Sequence, residues 1–132
     1  MPELPEVETT KTSLLPLLEQ RVQAIRVHNP SLRWPIPDDL EKLIGQRLIQ
    51  LKRRSKYILA EFEQDQMLWH LGMSGSFRLC QPSDELRKHD HLIIDFEDIQ
   101  LRYHDPRRFG CILWLDQDNQ SKLIDTLGPE PL

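Results

Sequence analysis

From Arg47 onward the sequence is a succession of short, β-rich segments separated by turn signals, and this pattern restricts the fold more than anything else in the chain. Leu48 to Lys52, Tyr57 to Phe62, Met67 to Leu71, Ser76 to Cys80, His91 to Phe96, Gln100 to Tyr103 and Cys111 to Leu115 each read as a strand. Arg21 to His28, with Val22, Ala24 and Val27 loosely on one side, adds another. Seven or eight strands of this length point to an antiparallel β-sandwich. Pro5 to about Leu15 has helical spacing in Val7, Lys11 (through its stem), Leu14 and Leu18, and Pro16 ends or kinks that helix, leaving a short turn through Glu19. Asn29 to Pro37 carries three prolines and reads as a loop. Asp38 with Glu41 forms a capping-box pattern for a short helix that Gly45 stops, and Ser121 to Leu127 reads as a closing helix before Gly128-Pro129. The fold class expected is therefore α+β, mostly β: an antiparallel β-sandwich of about seven or eight short strands with an N-terminal and a C-terminal helix. Its 132 residues fit one domain with a real core.

Charge matters here through its placement. The formal net charge is −4, which opposes non-specific binding to a polyanion, yet phosphate contacts depend on a local basic face. Lys52, Arg53, Arg54 and Lys56 cluster, and Arg102, His104, Arg107 and Arg108 form a second group, while acids gather at Asp38 to Glu41 and Asp95 to Asp98. Such runs are commonly no more than solvated faces, but at turns they also suit a phosphate-tracking groove. No apolar run approaches the ~18 residues of a membrane span, and no charged leader precedes an apolar stretch, so a cytoplasmic site of action without membrane contact is expected. Cys80 and Cys111 are isolated, which supports neither a zinc site nor a disulfide; each reads as a small buried hydrophobe.

The chemistry concentrates in the first eight residues, Met1-Pro2-Glu3-Leu4-Pro5-Glu6-Val7-Glu8. Methionine before proline is normally trimmed, which exposes Pro2 as a free secondary amine; with Met1 retained, the same nitrogen is a peptide amide. An amine can attack the anomeric carbon of a sugar and leave an iminium, an electron sink. An α-amino group titrates near ~8, so a useful neutral fraction exists at physiological pH. Glu3 follows at once as a proton donor or manager of the amine's protons. Pro5 suits the first helical position, and Glu6 and Glu8 suit the helix's positive end.

That opening resembles the formamidopyrimidine-DNA glycosylase family, bacterial enzymes that excise oxidised purines. The resemblance continues in Leu32-Arg33-Trp34-Pro35, Arg53-Arg54-Ser55-Lys56-Tyr57, His70-Leu71-Gly72-Met73-Ser74-Gly75, Lys88-His89-Asp90-His91, Asp105-Pro106-Arg107-Arg108-Phe109-Gly110 and Leu127-Gly128-Pro129-Glu130-Pro131-Leu132. These blocks follow the family's order and span the chain. The resemblance agrees with the β-sandwich of the family's N-terminal catalytic domain. It implies double-stranded damaged DNA as partner and a protein acting as a monomer. It also implies that the final segment leads into a linker, a helix–two-turns–helix element and a zinc-finger hairpin. Zinc and most of the damaged-base pocket are then expected beyond Leu132, with no cofactor in residues 1–132.

By that resemblance Pro2 is the nucleophile at C1′, Glu3 the acid, and Lys56 the lysine that approaches a phosphate and relays a proton during elimination. Glu6, one helical turn from Glu3, either shares the site or only bonds backbone N–H groups at the helix start. Extruding a base leaves a hole costing a few kcal/mol in stacking and pairing. Met73, Phe109 and Arg107 match the family's three void-filling residues. The first two replace stacking, and the Arg107 fork hydrogen-bonds the orphaned partner base. His70 and His89 are matched to phosphate contacts, and Arg108 adds a backbone contact. His91 reads as a structural histidine, and Asn29 either bonds DNA or holds the proline-rich loop. The function implied is base-excision repair of 8-oxoguanine and formamidopyrimidines by a bifunctional glycosylase and abasic-site lyase, through a Schiff base and β,δ-elimination. Two alternatives stand beside it: an endonuclease VIII-type enzyme for oxidised pyrimidines, and a non-catalytic module that senses distorted DNA.

Overall fold

A computed structural model describes residues 4–29, 31–32, 35–54, 57–72, 75–108 and 110–115, with side chains from Glu8 onward except that of Arg54. Helix α1 (Leu4–Ser13) is followed by a 3-10 turn at Leu15–Leu17, where Pro16 takes an early position that needs no N–H. The strands are β1 (Ala24–Val27), β2 (Leu48–Arg54), β3 (Tyr57–Phe62), β4 (Gln66–His70), β5 (Ser76–Cys80), β6 (Asp90–Asp95), β7 (Gln100–His104) and β8 (Cys111–Trp114). They pair antiparallel throughout, into one sheet of order β1-β6-β7-β5 and a second of order β2-β3-β4-β8. The sandwich read from the sequence is thus present, with eight strands whose limits differ from the expected ones by no more than three residues. The expected closing helix, Ser121 to Leu127, lies outside the described residues.

Alternation builds the core. Ile58, Ala60 and Phe62 of β3, Met67 and Trp69 of β4 and Ile112 of β8 face Phe77, Leu92, Ile94, Leu101 and Tyr103 of the other sheet. Trp69, Phe77 and Tyr103 form a chain of rings across the layers, with centroids 4.8 and 4.9 Å apart. The residues in between, Tyr57, Leu59, Leu68, Cys111 and Leu113, are buried in a second cluster on the outer face of the second sheet. Burial on both faces explains why these strands read as continuous apolar runs and not as alternating ones. Both cysteines are buried and free, one in each sheet.

Two expectations need correction. Asp38 and Glu41 do not form a capping box: the element is a 3-10 turn, Leu40–Leu43, whose N-cap is Asp39. Asp39 makes no side-chain cap because its Oδ1 accepts the Trp114 indole N–H at 2.7 Å. Arg102 does not belong to a basic face. It is buried on the outer side of the first sheet, where its guanidinium donates to Gln100 Oε1 and to the carbonyls of Gln81, Asp84 and Glu85. A buried cation pointing at three carbonyls pins the 81–88 loop against the sheet.

The register brings one set of strand ends together. Arg54 pairs with Tyr57, Tyr57 with His70 and His70 with Cys111; in the other sheet Ser76 and Asp90 both pair with His104. The β2–β3 turn, the β4–β5 turn, the β7–β8 loop and the start of β6 therefore share one end of the sandwich. Two glycines let the β4–β5 turn and the β7–β8 loop touch. A Cβ on Gly75 would collide with the Leu71 carbonyl oxygen and lie 2.6 Å from the Tyr103 hydroxyl. One on Gly110 would collide with that same hydroxyl and lie 2.6 Å from the His70 carbonyl oxygen. Gly110→Ala should therefore destabilise the fold by ~1–3 kcal/mol through overpacking. Gly45→Ala, where φ is +91° but no atom lies within 4 Å, should cost only ~1 kcal/mol of backbone strain. Urea unfolding of the two variants checks the order.

Candidate functional site

At this end of the sandwich the β7–β8 loop is built around one carboxylate. Asp105 is fully buried and accepts from the Tyr103 hydroxyl (2.7 Å) and the Gly110 N–H (2.9 Å) on Oδ2, and from the Arg108 N–H (3.0 Å) on Oδ1. Its own carbonyl accepts from His91 Nε2 at 2.7 Å, and its N–H donates to the His89 carbonyl at 3.1 Å. Burial, followed by the Asp105 charge and hydrogen bond, pushes the Tyr103 hydroxyl far above its usual titration range, so it serves as a permanent donor. Arg108 sits at φ 57°, a left-handed conformation uncommon for a residue with a side chain. The bonds to Asp105 hold it there and leave Arg107 and Arg108 exposed at the loop's tip.

A second buried carboxylate organises the β6 start. Asp90 receives a two-pronged ion pair from Arg78 (2.7 and 2.6 Å), the Arg87 N–H (2.8 Å) and His104 Nδ1 (3.1 Å). Burial alone would raise its pKa. The Arg78 and Arg87 bonds and the His104 contact overcome that and hold the carboxyl far below the usual range. The β6–β7 register slips between Asp90 and Leu92, leaving His91 as the extra residue of a bulge. Bulges re-aim side chains, and here the re-aimed ring is the one that bonds Asp105. His91 is thus a satisfied structural histidine, the role its position suggested.

Between these two supports lies a cavity of about 360 Å³ whose walls include His28, Asn29, Arg87, Lys88, His89 and Arg108. Asn29, His89 and Arg108 were expected from the sequence; His28, Arg87 and Lys88 were not. The run Arg87-Lys88-His89 was a visible signal, but His28 comes from the end of β1, more than fifty residues away in sequence. The Asn29 side chain also holds its loop, since Oδ1 accepts from the Ser31 N–H at 3.0 Å. His89 has ring neighbours in His91 (6.0 Å) and His104 (5.9 Å). Desolvation, then the charges of Lys88, His104, His91 and Arg108, lower its pKa. The cavity therefore presents hydrogen-bond donors and positive charge to an anion.

The remaining expected residues divide into two groups. His70 is buried beneath the β4–β5 turn, and its Nδ1 accepts the Gly72 N–H at 3.0 Å, so the ring shapes that turn from below. Glu6 lies in α1, and its side chain is outside the described residues. Helix α1 is tied to β2 by Glu8, which bonds Arg53 at 3.0 Å and Lys11 at 2.9 Å. This contact, with the Lys52–Glu61 pair, offsets some of the first basic cluster. Pro2, Glu3, Lys56, Met73 and Phe109 lie outside the described residues. Their chain neighbours place the turns that carry Lys56, Met73 and Phe109 at the end of the sandwich described above. Among the described residues, no group of three or more His, Cys, Asp or Glu side chains is arranged to hold a metal ion.

Asp90 gives the support a pH signature. A carboxyl whose folded pKa is depressed contributes stability in full above its unfolded value of ~4 and loses it as pH falls below that value. Asp90→Asn should cost ~3 kcal/mol near neutrality by leaving Arg78 without its partner. That difference from wild type should shrink below pH ~4 in urea titrations.

Comparison with known proteins matches this geometry. The family model described as the formamidopyrimidine-DNA glycosylase N-terminal domain matches residues 1–112. Formamidopyrimidine-DNA glycosylase of Acinetobacter baumannii (strain SDF) is 83% identical over the whole chain, and that of Acinetobacter baylyi is 74% identical. The chain spans about half the length of these curated relatives, 48% and 49% respectively. Among solved structures, the Lactococcus lactis Fpg complex with abasic-site DNA aligns with a TM-score of 0.81 at 32% identity, over 93% of this chain and 47% of that one. The complex of the same enzyme with FAPY-dG DNA aligns with a TM-score of 0.79 at 33% identity, over 92% and 48%. With its family model matched over residues 1–112 and the same sandwich in its solved relatives, the chain belongs to the formamidopyrimidine-DNA glycosylase family.

Proposed function

We propose that this chain is the catalytic half of a base-excision repair enzyme that removes oxidised purines, 8-oxoguanine and formamidopyrimidines, from duplex DNA and then cleaves the abasic site. The observation that carries the reading is the cationic cavity around His89 and Arg108, at the same end of the sandwich as the turns bearing Lys56, Met73 and Arg107 to Phe109. It is supported by the names of the relatives and by the abasic-site and FAPY-dG DNA held by the L. lactis neighbours. The enzyme works as a monomer in the bacterial cytoplasm, where the DNA lies. Zinc enters the proposal only through chain beyond Leu132, and no step here passes through it.

In the proposed reaction the Pro2 nitrogen attacks C1′, and the base departs with the glycosidic electron pair and a proton supplied by the Glu3 carboxyl. The nitrogen lone pair then forms the iminium. That cation acidifies the C2′ proton, so loss of the proton expels the 3′ phosphate and a second elimination expels the 5′ phosphate. One amine thus gives both glycosylase and lyase activity, which an activated water does not. His28, Asn29, Arg87, Lys88, His89 and Arg108 grip the backbone, while Met73, Arg107 and Phe109 occupy the hole left by the extruded base.

Borohydride reduction on abasic-site duplex should give a covalent adduct mapping to the peptide that begins at Pro2; an adduct at an internal lysine alone would overturn the assignment. Glu3→Gln should slow base removal by about a hundredfold or more while still trapping preformed abasic DNA. Preference for thymine-glycol over 8-oxoguanine duplex would replace the purine reading with the pyrimidine one. The lowered pKa of His89 sets a further expectation. Phosphate at the cavity raises that pKa, so binding takes up a proton. DNA affinity should therefore rise as pH falls from neutral to about 6, the range in which an imidazole titrates. His89→Gln should flatten the trend in fluorescence-anisotropy titrations.

A further inference from the structure

The two turns assigned to filling the DNA hole meet at one oxygen atom. The Tyr103 hydroxyl sits against Gly75, at the end of the turn that carries Met73, and against Gly110, beside Phe109. The same hydroxyl donates to Asp105 Oδ2 at 2.7 Å, and that carboxylate oxygen also receives the Gly110 N–H at 2.9 Å. The other carboxylate oxygen receives the Arg108 N–H. On the far side, the Gly110 backbone packs against the His70 carbonyl, and the His70 ring holds the Gly72 N–H at 3.0 Å. Tyr103 itself is fixed by its place in β7 and by Phe77 at 4.9 Å, and it is fully buried.

We propose that Tyr103 is a positioning residue that locks the β4–β5 turn and the β7–β8 loop into a single rigid wedge, so that Met73, Arg107 and Phe109 enter DNA as one unit. This rests on the reading above that these three residues fill the hole. Neither turn is held by regular pairing between residues 71–75 and 105–110; their mutual placement comes through the hydroxyl, the carboxylate and the two glycines. A filling group displaced by a fraction of its own size loses the stacking and hydrogen bonds that offset extrusion, whereas the Schiff-base chemistry of an already abasic sugar needs no base extruded. Tyr103 therefore acts on the first step and not on the second.

The test uses the full-length protein and Tyr103→Phe, which keeps the ring against Phe77 and removes only the oxygen. Single-turnover excision from 8-oxoguanine duplex should fall between about tenfold and a hundredfold, the scale of a small misplacement of a positioned group. Borohydride trapping on single-stranded abasic DNA should keep its wild-type rate. A double-mutant cycle gives the reading that a merely structural role does not move. Met73→Ala and Phe109→Ala should be strongly non-additive in excision with Tyr103 present and additive in Tyr103→Phe. Unchanged excision, or coupling that persists without the hydroxyl, overturns the proposal. If Tyr103→Phe unfolds, the same cycle is read in Asp105→Asn; loss of fold in both also overturns it, because the oxygen would then hold the sandwich and not the turns. Failure of wild type to trap abasic DNA would instead count against the proposed function, and the coupling measurement separates the two.

Discussion

A carboxylate removed from water is costly unless its lone pairs are filled, and the catalytic end of this sandwich is arranged around filling those of Asp105. The donors come from the last residues of β7 and from the loop itself: a side-chain hydroxyl and two backbone N–H groups. Meeting that demand fixes the path of residues 105–110, forces Arg108 into a left-handed conformation and leaves no room for a side chain at Gly110. The bulge at His91 belongs to the same solution, since its ring fills the Asp105 carbonyl. The loop's exposed arginines thus stand on a base whose own polar needs are internally met.

Asp90 has the matching role at the start of the neighbouring strand. Its ion pair with Arg78 occupies its charge and its bond to the Arg87 N–H orders the chain entering β6, so an acid inside a cationic wall does not cancel that wall. This reconciles a net charge of −4 with a cavity built for anions. The acids are taken up in pairs, Glu8 with Arg53 and Lys11, Glu61 with Lys52, Asp90 with Arg78, while Lys88, Arg87 and Arg108 remain exposed at the cavity. Surface pairs of this kind add little stability. Their consequence is where positive potential is left over.

Much of the architecture was legible because strand formation is signalled locally. Gly, Pro, Asn and Asp punctuate the turns, and apolar runs of five or six residues between them leave little choice but short strands. Individual site residues were legible only as members of contiguous blocks, such as Lys88-His89-Asp90-His91 or Asp105 to Gly110. Arg102 shows the limit. In sequence it is one more cation beside His104, yet its position on the outer face of β7 under the 81–88 loop turns it into a buried clamp. His28 shows the converse, an unremarked residue brought to the cavity by the pairing of β1 with β6. His70 reads as a surface contact until its burial and its bond to the Gly72 N–H are seen.

The sequence by itself determined that the chain forms a β-sandwich behind a short helix, which blocks carry chemistry, and that an amine at Pro2 is available for it once Met1 is removed. These follow from local spacing, turn chemistry and the reactivity of single groups, none of which needs a distant partner. Only the tertiary structure decided that the β2–β3, β4–β5 and β7–β8 connections share one end, and which cations stay exposed there. It also decided that Tyr103 and Asp105 join two of those connections. Register and burial are properties of pairs far apart in sequence. A strand slipped by one residue would carry the same letters with every side chain on the opposite face.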